Sequence, residues 1–192
     1  MSGYEALVQR IAALFAKKSP VIVAIDGPAA SGKTTLAAKL AAQFGAQVLH
    51  MDDYFLQPHQ RTPERYSEPG GNVDRERFLA EALLPLSRGE AYVSRRFDCG
   101  SMTLLEGKTV EPSGLVIVEG SYSLHPLLAP HYDLRVLLSI SPDVQSARIL
   151  ARNGQEKHKQ FMERWIPLEN RYFEHTRIEE RCDMRLVMEE RA

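Results

Sequence analysis

Residues Gly27-Pro28-Ala29-Ala30-Ser31-Gly32-Lys33-Thr34 spell G-x-x-x-x-G-K-[ST], with Thr35 directly after. They stand between an apolar β-branched run at residues 21–25, preceded by Pro20, and an Ala- and Leu-rich run, Lys33–Phe44, that stops at Gly45. A chain with this segment must deliver strand, loop and helix in that order. The glycines let the backbone curl so that successive N–H groups face phosphate oxygens, and the helix adds the positive end of its dipole. Lys33 reaches the β- and γ-phosphates, and the Thr34 hydroxyl is a ligand for Mg²⁺. From average composition, the four fixed positions co-occur by chance in roughly 1% of chains this long. The strand before and the helix after are the context the mechanism requires.

The rest of the chain repeats the strand–helix alternation. Residues 47–51, Leu115–Glu119, 134–140 and 184–188 read as further short strands. Residues 74–86 read as a helix with Phe78, Ala82 and Leu83 on one face, and residues 92–110 as a hairpin excursion around Gly100 and Gly107. Ser141-Pro142-Asp143 starts a charged helix or helix pair over about 144–175, with Ser as cap and Pro in the first turn. Continuous apolar strands alternating with helices predict one α/β domain over residues 1–192, a parallel sheet covered on both faces. No repeat, low-complexity tract or linker interrupts it.

Composition narrows the function classes. With 24 Lys and Arg against 25 Asp and Glu the net charge is −1, which argues against a nucleic-acid binder. Cys99 and Cys182 lie far apart without paired spacing, so a reducing compartment is expected and a disulfide scaffold is not. The N-terminal stretch is broken by Glu5, Arg10, Lys17 and Lys18 and lacks a signal-peptide layout. Its Leu7, Ile11 and Leu14 recur at helical spacing, so an amphipathic helix in a cytoplasmic protein is the expectation.

In an open parallel sheet, ligands bind beyond the carboxyl ends of the strands. Two sets of carboxylates fall there besides the phosphate loop. Glu119 ends the apolar run 115–118, and a carboxylate beside a triphosphate has Mg²⁺ as its natural partner, directly or through water. Asp52 and Asp53 follow the second strand. Either can take the proton of an acceptor hydroxyl aligned with the γ-phosphate, with Asp52 preferred as general base.

In order along the chain, GPAASGKTT, MDDYF, GNVDRERF and VIVEGSYSL resemble the uridine kinase-like family of P-loop kinases, from about residue 21 to residue 183. The resemblance implies a three-layer P-loop sandwich with sheet order 2-3-1-4-5, a helical lid, ATP as phosphoryl donor and Mg²⁺ as metal. It implies that Asp52 is the catalytic base and that Asp74, which by itself reads as a helix N-cap, holds ribose hydroxyls. Glu119 matches the acid of the V-x-x-E-G motif. Arg148 and Arg152, four residues apart on one helical face, match the lid arginines that clamp phosphates. Gln160 matches a lid residue that reaches the substrate.

The sequence departs from the family where the family reads its pyrimidine. Phe97-Asp98 stands for a Tyr-Asp pair, and Met102 falls near the position of a His. Phe97 can stack on a ring or pack as core, but the hydrogen-bonding reader is missing. The expected acceptor is therefore a small alcohol, a nucleoside such as uridine or cytidine first, with pantothenate, nicotinamide riboside or a sugar as alternatives. A non-catalytic nucleotide-binding regulator is the reading from another class, and Asp52 and Asp74 favour the kinase. The partners expected are ATP and a small acceptor, without nucleic acid or membrane, with homo-oligomerisation open. The six histidines lack metal-ligand spacing and read as surface or packing residues, and Trp165 as a core anchor of the lid. Arg61, Arg65, Arg75 and Arg77 read as a loose, mostly solvated basic set in which Arg61 or Arg65 can approach an anionic substrate.

Overall fold

The computed structural model describes residues 2–188. Helix α1 (Gly3–Phe15) opens with a capping box, in which the Ser2 and Glu5 side chains each accept the other's backbone N–H, and it buries Leu7 and Ile11. Strand β1 (Val21–Asp26) leads through the phosphate loop into α2 (Lys33–Phe44), and β2 (Gln47–His50) follows. A long connection then holds α3 (Pro63–Ser67), α4 (Arg75–Phe78) and α5 (Leu84–Ser87). Two small antiparallel pairs come next, β3 (Tyr92–Ser94) with β6 (Lys108–Val110) and β4 (Phe97–Asp98) with β5 (Thr103–Leu104). Strands β7 (Leu115–Glu119) and β8 (Leu134–Ser139) precede the lid helices α6 (Pro142–Gln160) and α7 (Ile166–Thr176). Short α8 (Ile178–Arg181) and strand β9 (Met184–Val187) complete the described chain.

The five long strands line up as β2-β7-β1-β8-β9, and every neighbouring pair is parallel. Numbered along the chain, this is the expected order 2-3-1-4-5. Successive side chains of a strand face opposite sides of the sheet, and β1 divides accordingly. Val21, Val23 and Ile25 join Leu7, Ile11, Leu36 and Leu40 on the face covered by α1 and α2. Ile22 and Ala24 join Met51, Phe78, Leu83, Leu86 and Tyr172 on the other. Fully burying a side chain of this size stabilises by about 1.5–3 kcal/mol, so neither face can be left bare, and the result is a three-layer α/β sandwich.

Two expectations about secondary structure change in detail. The helix read over 74–86 contains a π turn, Leu79–Leu83, and the lid contains another, Phe161–Trp165. Both stand immediately ahead of a helix with proline in its first turn, Pro85 and Pro167. A proline in a helix has no N–H for the carbonyl four residues back and its ring crowds that carbonyl, and the wider turn relieves the crowding. The excursion over 92–110 is one hairpin with a bulge. Between its two paired segments one arm has Arg95-Arg96 and the other Leu105-Glu106-Gly107, so the register moves by one residue.

Candidate active site

The phosphate loop takes its shape from backbone conformations that side chains disfavour. Gly27 has φ +151, and a Cβ there would lie 2.7 Å from the Leu138 carbonyl oxygen, so residue 27 must be glycine. Ala30 (φ +61) and Gly32 (φ +95) are also left-handed, the backbone conformation that alternates with right-handed residues in anion-binding nests. The Lys33 ammonium donates to the Gly27 and Pro28 carbonyls at 2.7 and 2.9 Å, which folds it back across the loop's concavity. Among the described residues the buried Ser31 hydroxyl has no hydrogen-bond partner, a polar group left over in a loop built to meet phosphate oxygens.

Buried carboxylates hold this loop. Asp26, at the end of β1 and wholly buried, accepts from the N–H groups of Gly27, Tyr122 and Leu124 and from the Tyr172 hydroxyl at 2.7–3.2 Å. Burial raises its carboxyl above the usual range, against the pull of these donors and of Lys33. Glu169 of α7 accepts from the Ala29 N–H at 2.8 Å and from the Ser121 hydroxyl at 2.7 Å, and burial raises its carboxyl as well. Gln145 of α6 donates to the Ala29 carbonyl at 3.1 Å, so both lid helices are bonded to the loop through one residue.

At the ends of β2 and β7, the Glu119 carboxylate accepts from the Thr34 hydroxyl at 3.2 Å and lies 2.5 Å from Nδ1 of His50. That hydrogen bond raises the His50 pKa. The hard oxygens of Thr34 and Glu119, side by side at the phosphate loop, suit Mg²⁺. Among the described residues no group of three His, Cys, Asp or Glu could hold a metal by itself. Asp52 opens to the same space, and its carboxyl is raised by burial and by the negative charge of Glu119, with Lys33 and His50 opposing. Asp53 is turned aside: its carbonyl accepts from Arg77 and it takes no part in the cleft wall.

One cleft of about 1310 Å³ is lined by Lys33, Thr34, Asp52, Glu119, Ser121 and Glu169. Single small-ligand sites measure roughly 300–1,000 Å³, so it has room for a donor and an acceptor together. On one side of the loop it is bounded by Tyr4, Thr35, Lys39 and Arg185 to Met188. On the other it is bounded by Asp52, Phe55, Leu56, Arg61, Tyr66, Asn72 and Val73, with Cys99 and Met102 from the hairpin. Arg148 and Arg152 border it from the lid, Arg148 donating to the Ala30 carbonyl at 3.4 Å.

Three residues expected to touch substrate are placed outside the cleft wall. Asp74 is 2% exposed; its carboxylate accepts from the Arg77 N–H as the N-cap of α4 and pairs with the Arg77 guanidinium at 3.4 Å. The helix-cap role read from the residue alone is the one its geometry displays. Phe97 is buried beneath the Arg61 guanidinium, 5.4 Å from its ring centre, as the core-packing alternative had it. Gln160 is exposed at the end of α6, while the next residue, Phe161, borders the cleft together with Trp165. The sequence reading missed Asp26, His50, Ser121, Gln145 and Glu169. For Asp26 and His50 a signal existed, since each ends a strand one or two residues before a candidate, Gly27 and Asp52.

Comparison with known proteins bears on this geometry. No protein-family profile matches the chain. The uridine kinase of Clostridium perfringens is 27% identical over 177 residues, covering 83% of this chain and 84% of the relative. That of Geobacillus kaustophilus is 29% identical over 177 residues, covering 83% of each. Among solved structures, a possible uridine kinase from Bacillus stearothermophilus superposes with TM-score 0.74 at 22% identity, covering 96% of this chain and 97% of the other. The chain is similar to uridine kinases over most of its length and has the fold of a uridine kinase-like P-loop kinase. The same fold recurs in a Silicibacter protein described as a fructose transport system kinase, with TM-score 0.76 at 24% identity over 96% of this chain and 98% of the other. No helix of the described residues is long and apolar enough to cross a membrane.

Proposed function

We propose that this kinase transfers the γ-phosphoryl group of Mg·ATP to a hydroxyl of a small metabolite, and that pyrimidine nucleosides are the first acceptors to test. The observation that carries the reading is the meeting of Lys33, Thr34, Glu119 and Asp52 on one cleft with a second compartment beside the phosphate loop. Loop N–H groups, Lys33, Arg148 and Arg152 hold and neutralise the triphosphate. Thr34 and Glu119 are the residues that would hold Mg²⁺, whose contribution when bound would be to offset negative charge on the phosphates. Asp52 accepts the proton of the acceptor hydroxyl as its oxygen bonds to the γ-phosphorus and the bond to the β-phosphate oxygen breaks, releasing ADP.

The nucleoside part rests on the names of the relatives, uridine kinase in Clostridium and Geobacillus. Another small alcohol is favoured by a specific observation: the Asp74 carboxylate and the Phe97 ring are both occupied away from the cleft. ADP release, measured with and without each member of a panel of nucleosides, vitamins and sugars, separates the readings. Lys33→Ala is expected to abolish turnover and strongly weaken ATP binding, because the loop loses its cation over the β- and γ-phosphates. Unchanged ATP affinity by calorimetry would remove the phosphate loop from the reading.

A further inference from the structure

From Arg61 to Arg77 the connection after β2 carries four arginines, and three of them are neutralised within the protein. Arg65 pairs with Glu76 at 2.6 Å, Arg75 pairs with Glu68, and Arg77 lies between Asp74 at 3.4 Å and Glu81 at 3.5 Å. Among the described residues, no carboxylate pairs with Arg61. Its Nε donates to the Leu56 carbonyl at 2.9 Å, and its guanidinium rests over the Phe97 ring. These contacts hold the stem and the plane of the group while leaving both terminal amino groups unbonded, and Arg61 borders the cleft on the side of Asp52. Arg148 and Arg152, the cations that serve a triphosphate, come from the opposite wall.

We propose that the acceptor is an alcohol that also carries an anionic group, a carboxylate or a phosphate, and that Arg61 receives that group. The proposal rests on the kinase reading and deepens it. A guanidinium whose Nε is already used presents its two terminal amino groups as a parallel fork, which matches two oxygens of a carboxylate or phosphate. Asp52 repels an anion, so the acceptor is oriented with its hydroxyl toward Asp52 and its charge toward Arg61. With Asp74 withdrawn into its pair with Arg77, Asp52 is the carboxylate on that wall, and Arg61 is the charge left to be matched. A neutral acceptor would leave a half-buried guanidinium without a counter-charge beneath the bound molecule, an arrangement that costs free energy.

The test measures ADP release by the full chain with pantothenate and gluconate (carboxylates), ribose 5-phosphate (a phosphate), and the neutral acceptors uridine, cytidine and ribose. At least one anionic alcohol is expected to support turnover, and the better class identifies the anion. Arg61→Gln should then raise the acceptor KM by roughly 10–100-fold, the worth of a charged hydrogen bond, with ATP affinity by calorimetry unchanged. Arg61→Lys should recover part of the loss. Unaltered ATP affinity also certifies that the variant is folded. Turnover of neutral nucleosides alone, or of an anion with a KM indifferent to Arg61→Gln, overturns the proposal and leaves the kinase standing. If no acceptor in either class releases ADP, the proposal falls, and calorimetry with ATP then decides separately whether the kinase reading falls with it.

Discussion

At the scale of single residues, the site separates two adjacent carboxylates that the sequence left in competition. Asp52 borders the cleft and Asp53 does not, so Asp52→Asn is expected to lower turnover by roughly 10²–10⁴-fold with ATP binding nearly intact, and Asp53→Asn to do much less. The reverse order in steady-state kinetics would assign the base to Asp53. Burial and Glu119 raise the Asp52 carboxyl, and a base must be unprotonated to act. Turnover should therefore decline as pH falls through a value above about 3.9, the ordinary aspartate pKa, and Asp52→Asn should abolish that limb of the kcat profile. Legibility at this scale followed chain position. Lys33, Thr34, Asp52 and Glu119 were readable because each sits at a strand end or in the loop. For Asp74 and Phe97 the cap and core readings stood beside the substrate ones, and the choice depends on Arg77 and Arg61, partners whose direction no local pattern encodes.

Among the elements, the apolar strands and the motif-bearing helix were legible, while helix interiors were less so. Pro85 and Pro167 were visible in the sequence, but a proline can end a helix or widen it, and only packing of the next turn against the sheet selects the wider form. The lid's attachment was also hidden. Glu169 lies in a charged helix where most acids are solvated, and its burial follows from α7 crossing the loop with Tyr172 inward. Because Glu169 fixes the Ala29 N–H, Glu169→Ala is expected to weaken ATP binding roughly tenfold, the effect of losing a charged hydrogen bond to the backbone. Glu169→Gln, which retains an acceptor, should lose less. Equal ATP affinity for wild type and both variants by calorimetry would show that α7 does not order the loop.

For the molecule as a whole, acid sensitivity has an identifiable source. His125, stacked against Tyr172, is lowered to about 4 by burial and by the nearby Arg75. Its folded pKa lies below the unfolded value of about 6.5, so the unfolded chain binds the proton more readily and stability is lost as pH falls from about 6.5 toward 4. The raised carboxyls of Asp26 and Glu169 act in the opposite sense, favouring the fold as they take up protons. Comparison of His125→Phe with wild type isolates the histidine. The variant should lose less stability between pH 7 and pH 4, by about 1 kcal/mol after allowing for partial exposure. Urea unfolding at the two pH values measures it, and parallel losses in both proteins would remove His125 as the cause.

The two walls of the cleft have separate origins in the chain. Groups that would handle ATP stand on the ends of β1 and β7, on α2 and on the lid, whose places the five-stranded sheet dictates. The opposite wall, from Asp52 to Val73 with Cys99 and Met102, belongs to connections that contribute no strand to that sheet. Descendants of one ancestor can therefore exchange those connections and inherit the phosphotransfer apparatus unaltered. Identity near 27% leaves room for such an exchange. Grafting residues 52–73 and 97–104 between two such chains should move acceptor preference with the graft and donor preference with the sheet.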